Sequence, residues 1–140
     1  MPRFAHLAAA GALALAPLSI LAAPAQAATT YSVTVTCTVP KSQPERQLAP
    51  DSCLNYIPDD TQTFTAKVRK SDGTAAKGVS VQWTDSATNA HFRVAQNPCV
   101  TNSSGVCSAE LVVNHPKHGQ KITVTATTGG ASDHGYLTFQ

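Results

Sequence analysis

From Tyr31 to Val39 the chain alternates with period two: Tyr31, Val33, Val35, Cys37 and Val39 on one parity, Ser32, Thr34, Thr36 and Thr38 on the other. That pattern predicts a strand with one face buried and one in water. It recurs along the chain. Thr63–Arg69 sets Phe64, Ala66 and Val68 against Thr65, Lys67 and Arg69. Gly78–Thr84 points Val79, Val81 and Trp83 inward, and His91–Ala95 carries Phe92 and Val94. Cys107, Ala109, Leu111 and Val113 share a face. So do Ile122, Val124 and Ala126 within Lys121–Thr127, and Leu137 and Phe139 within Gly135–Phe139. Turn formers divide these runs at Ser71-Asp72-Gly73, Asn102-Ser103-Ser104-Gly105, Pro116 with Gly119, and Gly129-Gly130. About seven short strands at such spacing, with no helical period after Ala27, predict an all-β sandwich or barrel.

The first residues follow another rule. Arg3 supplies a charge, Leu7–Ala23 is an uncharged Ala/Leu-rich stretch, and Ala25-Gln26-Ala27 is a small-x-small cleavage site. This is the order of a secretory signal peptide, with cleavage expected after Ala27. A membrane span needs about 20 apolar residues, and this stretch is shorter and holds Pro17. No Cys stands directly after the cleavage site, as a lipid-anchored lipoprotein would need, and Tyr136–Gln140 carries neither an apolar tail nor a sorting motif. The expected organisation is a signal peptide over 1–27 and one extracellular, monomeric domain over 28–140, free of the membrane after cleavage.

Composition narrows the partners. After Ala27 the chain keeps every Lys and Arg but Arg3, nine against eight Asp and Glu, a net charge of +1. Strong electrostatic binding to nucleic acid is not implied. Charged residues make up 13% of the chain, about half the roughly 25% of an average domain. Thr fills the gap, with 17 after Ala27, and β-branched residues suit pleated surfaces. Four cysteines in a small exported chain predict two disulfides rather than a zinc site, which wants shorter Cys-to-Cys steps. Three pairings are possible. The separations favour Cys37–Cys53 and Cys99–Cys107, the second clamping a hairpin around Asn102–Gly105.

One segment breaks the rhythm. Residues 40–60 hold Pro40, Pro44, Pro50 and Pro58, and read as a long loop tethered through Cys53. Loops beyond about 12–15 residues are often functional. Proline and the tether stiffen the segment, which lowers the entropy lost on binding. Arg and Tyr are types enriched at binding hot spots. Pro44, Arg46, Leu48, Tyr56 and Ile57 are therefore the candidate binding residues, and a cover over an open sheet edge is the competing role.

From Thr63 onward the chain resembles a bacterial immunoglobulin-like domain of the invasin/intimin type, group 1. The likeness runs through Phe64-Thr65-Ala66-Lys67-Val68, Asp72-Gly73, Gly78-Val79 and Trp83, then Thr101-Asn102 with Gly105 and Leu111, then Ile122-Thr123-Val124-Thr125-Ala126. The four cysteines and the proline-rich segment fall outside that family's pattern. The resemblance implies an immunoglobulin-like β-sandwich used outside the cell for spacing, adhesion or recognition, without catalysis. Its partner would be an extracellular protein or a glycan. A segment around Cys37 and Cys53 also loosely resembles the first disulfide loop of the subtilisin-inhibitor family, which makes a protease inhibitor presenting residues 40–60 the alternative. A purely structural envelope module is a third.

Other chemistry is sparse. Ser103, Ser104, His115 and Asp133 can be written as a Ser-His-Asp set, but no G-x-S-x-G elbow supports it. His115 and His118 lack a third metal ligand, and Asp59-Asp60 and Asp72 lack the spacing of a calcium loop. Lys67, Arg69, Lys70 and Lys77 form a basic cluster near one turn, suited to an anionic polymer or to a solvated strand face. No cofactor, metal or catalytic residue is expected. Asn102-Ser103-Ser104 fits a glycosylation sequon that matters only in a eukaryotic host.

Overall fold

The computed structural model describes residues 29–140; the export segment expected over 1–27 lies outside the described residues. Ten strands form two sheets. In chain order they are β1 (Tyr31–Thr38), β2 (Gln47–Ala49), β3 (Ser52–Asn55), β4 (Thr61–Lys70), β5 (Ser80–Asp85), β6 (Ala90–Phe92), β7 (Cys99–Val100), β8 (Val106–Val113), β9 (Lys121–Thr128) and β10 (Ala131–Phe139). One sheet has the order β1-β4-β8-β6, the other β2-β3-β10-β9-β5-β7. The first matches the A-B-E-D sheet of an immunoglobulin domain, and β10-β9-β5 matches its G-F-C strands. The fold is an immunoglobulin-like sandwich, with strands added to the expected seven at both edges of the larger sheet.

Period-two alternation builds the core. The inward parity of β4 buries Phe64, Ala66 and Val68, and that of β5 buries Val81 and Trp83. Leu111, Ile122, Leu137 and Phe139 meet them from β8, β9 and β10. Trp83 stands at the centre, 5.4 Å from Phe92 and 6.4 Å from Phe64 between ring centroids. Its indole Nε1 donates to Cys99 Sγ at 3.2 Å.

Three expectations change. Residues 40–60 are not an open loop. After a 3-10 turn at Pro44–Arg46, β2 and β3 form, and β3 pairs in parallel with β10, Ser52 beside Tyr136 and Asn55 beside Phe139. An unpaired β10 edge would be a template for aggregation, and this segment covers it. The expected strand over His91–Ala95 ends at Phe92. Val94 lies in a 3-10 turn and is 88% exposed. The chain must leave β8 there to reach the other sheet at Cys99. The Gln96 side chain takes over the strand's role by accepting the Glu110 amide.

Both favoured cysteine pairs form. Their role differs from a hairpin clamp. β7 pairs with β5, whereas β8 pairs with β4 and β6, so Cys99–Cys107 joins the two sheets. Cys37–Cys53 does the same from β1 to β3. Asn102 folds the turn between β7 and β8, its side-chain oxygen accepting from the Ser104 and Val106 amides. At the turn after β4 the Thr74 hydroxyl and amide donate to the exposed Asp72 carboxylate and hold its pKa below the usual 3.8. That turn contact is present at neutral pH and is lost as pH falls through the lowered value.

The free edge of β1 is sealed by β10. Asp133 Oδ2 accepts from the Val35 amide at 2.7 Å. Gly135 permits the approach, since a Cβ there would meet Val35 Cγ1 at 2.8 Å and Phe64 Cε1 at 2.9 Å. Gly135→Ala is expected to destabilise by about 1–3 kcal/mol through overpacking, read as a lower thermal midpoint. An unchanged midpoint would show that β1 and β10 can part without cost.

Candidate functional site

At one pole of the sandwich, β3 leads to β4, β5 to β6, and β8 to β9, and the chain ends after β10. The connections are polar, and they bond to one another. The Ile57 amide donates to Gln140 O, the Val113 amide to Asp60 O and the Asn114 amide to Asn89 O, at 2.7–2.9 Å. Asn89 Nδ2 donates to Asn114 O at 2.9 Å, and Gln120 Nε2 donates to Asn89 Oδ1 at 2.8 Å. Paired backbone groups of this kind hold loops in one conformation.

Three clefts adjoin across this pole. The first, about 340 Å³, lies between Thr38, Pro40, Arg46, Asp59 and Gln62. It shares Pro58 and Asp60 with a second of about 470 Å³, lined also by Ile57 and Pro116. The second shares Asn114 and His115 with a third of about 340 Å³ that reaches Lys117 and Gln120. The three clefts, together the pole groove, thus lie side by side, apolar at Pro58, Pro116 and Ile57, with Asp60, Asn114 and His115 in their shared walls. Concave sites with few convergent polar groups are the usual form of a binding site. His115 sits where two clefts meet and holds φ at 52°. A non-glycine residue there is strained by about 1–2 kcal/mol, and such strain concentrates at functional sites.

Arg46 is turned inward at the wall of the first cleft. It is 6% exposed, and its guanidinium is committed inward. Nε donates to Leu54 O at 2.9 Å, Nη2 to Asn55 Oδ1 at 2.8 Å, and Nη1 to Gln43 Oε1 at 2.6 Å. Nη1 also pairs with Asp59 at 2.8 Å, and the Tyr56 ring lies 5.7 Å from the guanidinium carbon. Expected at a binding surface, Arg46 spends its guanidinium on pinning residues 43–59 to the sheet. The two ends of the ion pair are unequal, because the Asp59 side chain is 54% exposed. Arg46→Ala is expected to cost about 2–3 kcal/mol, since it orphans buried acceptors. Asp59→Ala is expected to cost less than about 1 kcal/mol, because water takes over from an exposed carboxylate. Urea midpoints of the two variants measure the difference, and equal losses would refute this account.

No family model matches the chain, and no curated protein matches it. Among solved structures, the chain is similar to domains 4 and 5 of the S-layer protein SbsC. The TM-score is 0.52 and the identity 12%, over 79% of this chain and 53% of that one. The chain thus spans about half of that structure, and the likeness shows the fold. A β-glucuronidase of Parabacteroides merdae matches at a TM-score of 0.49 and 9% identity, over 76% of this chain and 12% of the enzyme.

The remaining candidates scatter. Ile57 lines the groove and Tyr56 precedes it, both partly exposed, while Pro44 and Leu48 are exposed but line none of its clefts. Ser103 and Ser104 lie at one end of β8 and His115 past the other, with eight strand residues between. At about 3.4 Å per residue this exceeds 25 Å, so no Ser-His pair forms. Asp133 is spent on β1. Among the described residues no three His, Cys, Asp or Glu groups could hold a metal ion. Lys67 and Arg69 take the outward parity of β4, and Arg69 bonds to Gly73 O. Sequence reasoning missed Asn89, Asn114 and Gln120, which look like ordinary turn residues. Gln62 carried a readable signal. It shares the inward parity of Phe64 and is buried, with Nε2 donating to Thr38 O at 2.7 Å. A polar group on a core parity marks a built polar site.

Proposed function

We propose that this chain is an exported, non-catalytic immunoglobulin-like module for extracellular or cell-surface binding, of the group 1 bacterial type, with the pole groove facing the partner. The observation that carries the reading is the row of three adjoining clefts, walled by loops that hydrogen-bond to one another, at one pole of a small sandwich. Two buried disulfides support an oxidising compartment, and the segment over 1–27 supports export. An enzyme inhibitor is less favoured, because residues 47–55 are paired into the sheet rather than presented as a loop. A structural envelope role is the second reading; an S-layer domain has a similar fold.

His115→Gly separates these readings. Glycine relieves the positive φ, so the melting temperature should hold or rise by a few degrees. Capture of a partner from cell-wall, matrix or secreted-protease fractions should weaken, as it should for Asp60→Ala. Wild-type-level capture by both variants would remove the groove from recognition. No capture by the secreted wild-type chain would favour the structural role.

A further inference from the structure

The outer face of the six-stranded sheet is unlike that of its partner sheet. Lys67, Arg69 and Glu110 stand on outward positions of the four-stranded sheet. On β5, β9 and β10, the three strands that follow β3 in the larger sheet, the outward positions are occupied by Thr84, Thr123, Thr125, His134 and Tyr136 among other uncharged residues, with Lys121 at one end as the charge. The register sets them side by side: Tyr136 opposite Thr123, and Thr125 between His134 and Thr84. Neighbouring strands space such groups about 4.8 Å apart, and alternate residues about 6.8 Å apart. Thr125 Oγ1 and His134 Nδ1 are 3.0 Å apart. Tyr136 is 43% exposed on an interior strand of the sheet, whereas Phe64, Trp83, Phe92 and Phe139 are all buried.

Depletion of charge with an exposed tyrosine is the compositional mark of a contact surface. The chemistry of the face selects the partner. Protein interfaces are anchored by clustered Trp, Tyr and Arg, with Ser and Thr under-represented; this face offers one tyrosine among hydroxyls. A charged polymer would find only Lys121. We infer that the outer face of β5, β9 and β10 binds an uncharged polysaccharide, with a sugar ring lying against Tyr136 and its hydroxyls bonded to the threonines and His134. Tyrosine suits this role because its flat apolar ring keeps a polar tip in water. The threonines fit it because β-branching holds their hydroxyls at fixed positions, which lowers the ordering cost of binding.

The experiment is retention of the secreted, disulfide-bonded chain on insoluble cellulose, chitin, starch and mannan, with polygalacturonate as the anionic comparison. Retention on at least one neutral polymer is expected, and it should persist in roughly 0.5 M salt, where exposed charges are screened. Tyr136→Ala should weaken it by about tenfold or more, as loss of a hot-spot tyrosine does, while Tyr136→Phe retains it and both variants melt with the wild type. His115→Gly and Asp60→Ala should leave retention unchanged, which separates this face from the pole groove. No retention on any neutral polymer overturns the inference, as does retention that Tyr136→Ala leaves intact. Binding to polygalacturonate alone, lost in salt, overturns it in favour of the Lys67–Lys77 cluster.

Discussion

Trp83→Ala is expected to cost about 3–5 kcal/mol, the range for removing a buried aromatic from a packed core. The indole is 1% exposed and lies between Phe64, Phe92 and the Cys99–Cys107 bridge. Its backbone is fixed too. The Asn97 side chain accepts from the Trp83 amide at 2.9 Å and donates to its carbonyl at 2.8 Å, standing in for a neighbouring strand. The site therefore has little freedom to collapse around a cavity. Domains of this size have about 5–15 kcal/mol in total, so the variant should lose at least about a fifth of its stability. At about 4–8 °C per kcal/mol, its midpoint should fall by more than about 10 °C. Trp83→Phe keeps most of the volume but loses the contact to Cys99 Sγ, and should cost about 1–2 kcal/mol. Thermal unfolding of the two variants decides it. A loss below about 1 kcal/mol for Trp83→Ala would mean that the indole does not fill the core.

The second large effect belongs to the disulfides. Loop closure alone puts the cost of removing Cys37–Cys53 by double alanine substitution at about 3 kcal/mol, and that of removing Cys99–Cys107 slightly lower, since the first closes 16 residues and the second 8. The loss at Cys37–Cys53 should exceed the chain-entropy value. Without that bridge, β2 and β3 rely on pairing to β10, the Arg46 anchor and single bonds such as Cys37 N to Pro50 O and Asn55 Nδ2 to Thr61 O. Because each bridge joins the two sheets, losing both takes away about 5–6 kcal/mol, comparable to the whole stability. The fully reduced chain is expected not to fold cooperatively at 37 °C. Urea unfolding with and without reductant tests this, and a reduced midpoint close to the oxidised one would refute it. Cys99 and Trp83 touch, so their substitutions should be non-additive.

The groove and the sheet face make different demands on these forces. The groove is assembled from loops held by backbone hydrogen bonds, and its one strained residue, His115, is tolerated because those bonds set the chain around it. The sheet face needs no strain. Its side chains are placed by the same alternation that builds the core, so a substitution elsewhere that preserves the core leaves their placement intact.

Local alternation carried most of what the sequence determined by itself. In β1, β4, β5, β8 and β9 the buried parity is the one legible in the chain, because a strand's side chains alternate whatever it pairs with. The same logic put Trp83 in the core and Lys67 and Arg69 in water, and short separations favoured the cysteine pairs that form. Only the tertiary structure decided the rest. β3 pairs with β10 across 84 positions, Ser52 beside Tyr136, and no local pattern records a partner that distant. Val94 has a strand former's chemistry, yet it faces water because the chain is crossing between sheets at that point. Arg46 reads as a surface contact until Leu54 O, Asn55 Oδ1 and Asp59 surround it. The pole groove draws on residues from Thr38 to Gln120, and its Asn and Gln side chains look like any others in a turn. Spacing along a strand is written in neighbouring residues, whereas a site built between loops exists only once burial of the core has brought their ends together.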